Sequence, residues 1–352
     1  MSSLLAGRRS AALCITVLAL AATAASASRL AIPARAYQSG FAPGARVLLD
    51  AHNAYPERGR WADRLDRALA TGTPIAIEQD LFWSRPRRES SYTSVVAHDD
   101  DALAGAPTLR THFFERIRPL MEQALVEKRR ETWPLVVLNL DFKDNLPPHL
   151  DYVWSLLGEY ESWLTTALRS PIADRVEPFE IGPLLVLAGS DTAQRRRFHH
   201  DVPVGSRLRM FGAIRPAPVA GKTKAQRTRR AMRMTAAQHI DVAADNFARW
   251  VNFPWSVIEE GGQNNAGSWI AQDSIRLESF VRQAHEQQLF IRFYTLDGFA
   301  VSRDRGYSVD YNFGTVGAAR ARWQAVIAAG VDFVATDQYA EFAELRAARL
   351  SR

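Results

Sequence analysis

Cysteine is almost absent: the 352-residue chain has one, Cys14, inside an apolar run near its N-terminus. That run, Ala11–Ala25, follows Arg8 and Arg9 and ends in Ala25, Ser26, Ala27 and Ser28, the charged, apolar, then small order of an export leader. It is short for a membrane span of ~20 residues. The reading is therefore a leader over residues 1–27, with a mature chain starting at Ser28. A chain processed in this way carries no thiol. Disulfides, thiolate metal ligands and a cysteine nucleophile are then excluded, and any bound metal must sit on oxygen or nitrogen. The expected location is secreted or periplasmic, and Gly7-Arg8-Arg9-Ser10 leaves the folded and the unfolded export routes both open.

Linkers are missing as well. No stretch rich in Ser, Gly or Pro divides the mature chain and no internal repeat is evident, so its about 320 residues read as one domain, 28–352. The net charge of +6 includes Arg8 and Arg9 and leaves +4 without them, too little to indicate nucleic acid, which is not expected as a partner. Acid is absent from one stretch: Val204–Met234 holds nine Lys or Arg and no Asp or Glu. Such a tract is either a solvated basic loop and helix face or a surface that attracts phosphates and anionic lipid.

What the chain does have is alternation. Strand-like apolar segments occur at Val47–Ala51, Ile75–Asp80, Leu135–Lys143, Leu184–Gly189, Arg207–Ile214, Trp250–Trp255, Phe290–Leu296 and Asp332–Thr336. Helix-period stretches lie between them: Trp61–Ala70, Leu109–Arg130, Leu150–Leu168, Lys224–Arg249, Ser274–Gln288 and Gly317–Ala329. Gly72 and Gly330 close two of these helices, with a strand beginning within a few residues. The pattern predicts an α/β chain folded as a (β/α)₈ TIM barrel, with Arg85–Pro107 and Arg215–Lys224 as long loops.

A barrel of this type builds its site from residues at the C-terminal ends of its strands. His52 ends the first, Glu78 and Asp80 the second, and Asp141 and Lys143 the third, with His98 in the loop after the second. Strand period two points Glu78 and Asp80 the same way. Each carboxylate alone has a structural ion-pair reading. Three converging carboxylates would raise one another's pKa unless a cation were present. The expected cofactor is one divalent cation, Mg²⁺ ahead of Ca²⁺, on Glu78, Asp80 and Asp141. Most of the eight histidines read as structural, but His52 and His98 fall where a barrel places function and suit proton transfer near neutral pH. Lys143 would hold a phosphate oxygen or fix Asp141. Arg292, inward-facing by alternation with Tyr294, pairs with a protein carboxylate or a substrate anion, the former favoured. The aromatics around Trp250–Trp255 and Trp269 line an acyl or head-group pocket or simply pack the barrel.

These residues, in this order and spacing, resemble the phosphodiesterase superfamily with phospholipase-C-like barrels, which includes glycerophosphodiester phosphodiesterases and sphingomyelinase D. The likeness runs from Asp50-Ala-His-Asn53 through Ile77-Glu-Gln-Asp80 and Ala97-His-Asp99 to Leu140-Asp-Phe-Lys143, and returns weakly at Val334-Ala-Thr-Asp-Gln338. It implies a divalent metal on Glu78, Asp80 and Asp141, with His52 and His98 as the acid and base pair. Two departures stand out. Both are departures from the glycerophosphodiesterases, where Asn53 replaces the arginine of the usual His-Arg-Gly and Asp141 a usual Glu. The Asp-x-Lys form resembles instead the sphingomyelinase D branch, whose disulfides the mature chain lacks, and phosphatidylinositol-phosphodiesterase-like proteins. The expected function is thus metal-dependent cleavage of a glycerophosphodiester or a phospholipid head group, with a cyclic or an open product. Lys143, Arg292, Asn53 and Trp255 are the candidate substrate contacts. The expected partners are that small phosphodiester or phospholipid and, peripherally, an anionic membrane; the chain is expected to be a monomer. The runner-up is a catalytically silent barrel that binds a phosphorylated ligand. Glycoside hydrolysis ranks last, because Glu78 and Asp80 point the same way and do not flank a bond.

Overall fold

The computed structural model describes residues 40–86, 90–172, 174–302 and 305–350, so the leader and the mature start at Ser28 lie outside the described residues. Eight parallel strands close into a barrel: β1 (Leu48–Ala51), β2 (Ile75–Ser84), β4 (Val136–Phe142), β6 (Leu184–Ala188), β8 (Phe211–Ala213), β9 (Ala248–Pro254), β10 (Phe290–Tyr294) and β11 (Phe333–Thr336). Closure is explicit in the register, because β1 pairs with β2 on one side and with β11 on the other. Each strand is followed by helix: α1 (Arg64–Leu69), α2 (Glu115–Glu127), α3 (Pro147–Glu159), α4 (Thr192–Arg195), α5 (Lys224–Arg233) with α6 (Ala236–His239), α7 (Ala271–Glu286), α8 (Val316–Ala329) and α9 (Tyr339–Leu350). Among the described residues no helix is long and apolar enough to cross a membrane.

Period two sorts each strand into two faces. One set, including Leu49, Ile77, Leu138, Val186, Ile291 and Val334, is fully buried, as expected of strands covered by helices on their outer side. The other set fills the barrel in layers. At the bottom Leu48, Ala76, Val137, Leu185, Phe211, Phe290 and Phe333 form one apolar cluster with Phe41 and Phe179. Phe41 stacks on Phe290 at 4.9 Å between ring centroids and lies 6.4 Å from Phe179, so aromatic rings plug this end. Each such buried ring is worth ~1.5–3 kcal/mol of transfer free energy. One period higher the same faces carry Asp50, Glu78, Asn139, Asn252 and Arg292, and the barrel turns from apolar to charged toward its C-terminal mouth.

Several boundaries differ from the sequence reading. The fifth strand segment splits: Arg207–Leu208 (β7) pairs antiparallel with Ala167–Leu168 (β5) outside the barrel, and Phe211–Ala213 alone enters it. The helix expected over Leu150–Leu168 stops at Glu159, and Leu164 and Thr166 are drawn into bridges with Leu184 and Glu180. The Lys224–Arg249 helix is two short ones. Thr235 begins the second with a capping box, and Asp245 then accepts from the N–H groups of Phe247 and Ala248, which turns the chain into β9. The loop expected over 85–107 contains β3 (Thr93–Val96), antiparallel to the extended end of β2. Gly330 ends α8 in the left-handed conformation, as read.

Most of the histidines hold the fold together. His112 donates from Nε2 to the carbonyl of Ala54 at 3.1 Å, and its Nδ1 receives Arg116 at 3.3 Å, so the buried ring is neutral. Burial, with the Arg116 charge in support, pushes it down to about 4. His149, His199 and His239 are likewise lowered by burial. A histidine whose folded pKa lies below its unfolded value stabilises the fold above ~6.5 and loses that contribution as pH falls toward the folded value. For His112 this amounts to on the order of 2–3 kcal/mol between pH 7 and pH 4. Urea unfolding should therefore show stability dropping steeply below pH 6.5, with a shallower slope in His112→Gln. An identical slope in that variant would remove His112 from the account.

Candidate active site

The mouth of the barrel holds a cavity of about 330 Å³, and its lining includes His52, Asn53, Glu78, Asp80, His98, Asp141, Lys143 and Arg292. Register explains the convergence. In the β2–β4 ladder Asp80 stands opposite Asp141, and Glu78 opposite Asn139. One oxygen from each of Glu78, Asp80 and Asp141 lies within 4.8 Å of the others, with Glu78 and Asp80 buried and Asp141 exposed.

Two fixed cations share this acid. Arg292 is buried, hydrogen-bonded from Nε to Asp50 and from Nη1 to Asn252 at 3.2 Å, and its Nη2 lies 3.0 Å from Glu78 Oε2. Lys143 Nζ lies 2.7 Å from Asp141 Oδ2 and 2.8 Å from Asp80 Oδ2. Asp80 Oδ2 and Glu78 Oε2 are thus buried and met by these ammonium and guanidinium contacts. Burial pushes Asp80 up to about 6, helped by the Glu78 charge and opposed by Lys143. Asp50 and Glu78 share Arg292, and Asp80 and Asp141 share Lys143, so four acids face two side-chain cations that are always charged. An all-carboxylate donor set within 4.8 Å, with more acids than fixed cations around it, fits a hard divalent cation.

His52 is held from behind. Its Nδ1 lies 3.0 Å from Asp337 Oδ1, and Asp337 Oδ2 accepts the N–H of Ser308. The N–H of Asp337 and the hydroxyl of Thr336 both donate to Asp297 Oδ1, which fixes the strand end that carries Asp337. The other ring nitrogen, Nε2, lies 3.7 Å from Glu78 Oε2 in the cavity. Burial disfavours the imidazolium, but the Asp337 and Glu78 carboxylates outweigh it and lift His52 to about 9. His98 lies after β3, half-exposed, with Nδ1 2.8 Å from Asp99 Oδ1. β3 is tied down in turn: Ser94 Oγ meets His149 Nε2 at 2.9 Å, and His149 Nδ1 meets Asp144 Oδ1 at 2.8 Å. This serine–histidine–aspartate chain has the partners of a hydrolytic triad, yet Ser94 and His149 are fully buried and Trp83 stacks on the imidazole, so its role is structural.

The candidate substrate contacts divide. Lys143 and Asn53 reach the cavity, although the Asn53 side-chain carbonyl already accepts from Tyr55 at 2.8 Å. Arg292 lines the cavity but is committed to Asp50, Glu78 and Asn252, in line with the protein-carboxylate reading. Trp255 is not among the lining residues. It lies in the turn beyond β9, fully buried, with Nε1 donating to Glu259 at 2.6 Å and its ring stacked on Trp269. Trp250 lines the site instead, because it shares the inward face with Asn252. Tyr311 and Asn139 carry no role in the sequence reading; Trp250 enters it only within the aromatic segment Trp250–Trp255, and Asp337 only within the Val334–Gln338 resemblance. Asp337 directly follows the apolar run of β11, and Asn139 lies one period before Asp141, so the strand-end rule could have found both.

No family model matches the chain, and no curated protein matches it. Solved structures do. A glycerophosphodiester phosphodiesterase from Parabacteroides distasonis aligns at 11% identity over 86% of this chain and 98% of its own, with a TM-score of 0.46. A calcium-dependent phosphoinositol-specific phospholipase C from a Pseudomonas species aligns at 12% identity over 86% of this chain and 92% of its own, also at 0.46. HPPK-DHPS of Plasmodium falciparum aligns at 7% identity over 88% of this chain and 48% of its own, at 0.40. These are distant likenesses, and the barrel stands on its own closed strand register.

A cation that binds only the folded site raises stability with concentration, by about 2.7 kcal/mol at a hundredfold excess over its dissociation constant. Adding Mg²⁺ or Ca²⁺ to chelator-treated protein should thus raise the unfolding temperature, and Asp141→Asn should abolish most of the gain. A melting curve indifferent to both ions would count against the carboxylates as metal ligands.

Proposed function

We propose that the protein is a divalent-metal-dependent phosphodiesterase that cleaves a glycerophosphodiester or a phospholipid head group. The observation that carries this reading is the convergence of Glu78, Asp80 and Asp141 within 4.8 Å beside the Asp337-anchored His52. These three carboxylates would hold the cation, which when bound supplies charge to neutralise the phosphoryl oxygens. Lys143, on the same carboxylates, is long enough to release one of them and meet a phosphate oxygen.

His52 is the proton carrier with the better-defined setting. Asp337 fixes the ring through Nδ1 and leaves Nε2 to face the cavity. Lifted to about 9, it is imidazolium at neutral pH and able to donate to a leaving oxygen. His98, oriented by Asp99, is the second group for proton transfer. The leader read at residues 1–27 would place this chemistry outside the cytoplasm.

The silent-barrel reading draws its support from Lys143, which already offsets part of the charge on Asp80 and Asp141. One experiment separates the two. A panel of phosphodiesters followed by phosphorus NMR, with and without Mg²⁺ or Ca²⁺, should show metal-dependent turnover and identify the product as cyclic or open. His52→Ala should lower kcat/KM by about 10²–10⁴-fold. Full hydrolysis after chelation, or after removal of His52, is incompatible with this mechanism.

A further inference from the structure

The catalytic cavity has a larger neighbour. A cleft of about 880 Å³ opens beside it, and Asn252, Tyr294 and Tyr311 line both. Both volumes fall within the ordinary range for ligand sites, ~300–1,000 Å³. Their walls differ. The first is walled by carboxylates, Lys143 and Arg292, whereas Val219, Phe253, Pro254 and Val257 give the second an apolar side. α5 borders the cleft through Ala225, Arg227, Thr228, Arg229 and Ala231, so two of its arginines stand at the cleft edge. Around that helix and the loop before it, Arg215, Lys222, Arg227, Arg229, Arg230 and Arg233 are all exposed. The acids that line the cleft, Glu260 and Asp310, come from other segments.

We propose that this cleft is the lipid-side subsite of the phosphodiesterase, an inference that rests on the reading above. The substrate is a phospholipid within an anionic bilayer. Its phosphate enters the carboxylate-lined cavity, its glycerol and upper acyl segments lie along the apolar wall, and the arginines of α5 face the membrane. A water-soluble phosphate ester would need the cations but not an apolar wall of this size. A lipid at an anionic surface uses both, since hydrocarbon burial and attraction between basic side chains and anionic head groups act together there. That attraction is screened beyond about 8 Å at physiological salt, so it should fall with ionic strength.

The test uses the full chain, vesicles of phosphatidylcholine alone or mixed with phosphatidylglycerol, and a water-soluble glycerophosphodiester. Wild type should sediment with the mixed vesicles in a salt-sensitive manner. Arg229→Glu with Arg230→Glu and Arg233→Glu should weaken that binding about tenfold or more, while the matching lysine substitutions retain it. Ala217→Trp, which projects an indole into the cleft, should lower vesicle turnover about tenfold more than it lowers turnover of the soluble diester. Salt-insensitive binding that ignores vesicle charge, or equal losses on both substrates in Ala217→Trp, would overturn the proposal. The two hypotheses fail differently. Binding without turnover of any diester sinks the phosphodiesterase reading, and turnover of the soluble diester without vesicle binding sinks this one.

Discussion

Asp80 and Asp141 face each other across the parallel register of β2 and β4, with Glu78 one period below Asp80, and like charges so close must be offset. The rest of the barrel mouth is organised around that constraint. Arg292 is buried against Asp50 and Glu78, Lys143 reaches Asp80 and Asp141, and His52 sits between Glu78 and Asp337. Breaking a buried pair of this kind costs ~3–5 kcal/mol because the remaining charge is stranded. The apolar lower layer, plugged by Phe41 and Phe179, supplies the rigid base on which such a charged layer can be held.

Much of this was legible from periodicity. All eight barrel strands begin or overlap where alternating apolar runs occur, and the strand-end rule selected His52, Glu78, Asp80, His98 and Asp141, all of which line one cavity. What escaped detection depends on contacts between distant segments. Asp337 acquires its role because β11 pairs with β1, a closure that brings together residues 285 positions apart. Trp255 reads as a pocket residue because it closes the aromatic strand segment Trp250–Trp255, but the chain leaves the strand at Pro254 and the indole finds Glu259 instead. Arg207–Leu208 reads as barrel strand by composition, and only its antiparallel partner at Ala167–Leu168 takes it elsewhere.

The mouth is also asymmetric. Toward β2 and β4 it is acidic and confined. Toward β9 and β10 it continues past Tyr294 and Tyr311 into a wider cleft edged by the acid-poor segment that contains α5. The tract without acid, conspicuous in the sequence as a charge imbalance alone, thus stands beside the cavity rather than on a remote face. An exposed basic helix at that position links the charge pattern of the chain to the chemistry at its strand ends.

The central claim is that the three carboxylates form a cation site rather than a cluster satisfied by Lys143 alone. A crystal grown with Mn²⁺ and measured for anomalous scattering tests it directly. The account predicts one strong anomalous peak within coordination distance, about 2.0–2.6 Å, of oxygens from Glu78, Asp80 and Asp141. Absence of that peak, with the Lys143 ammonium still between Asp80 and Asp141, would contradict it.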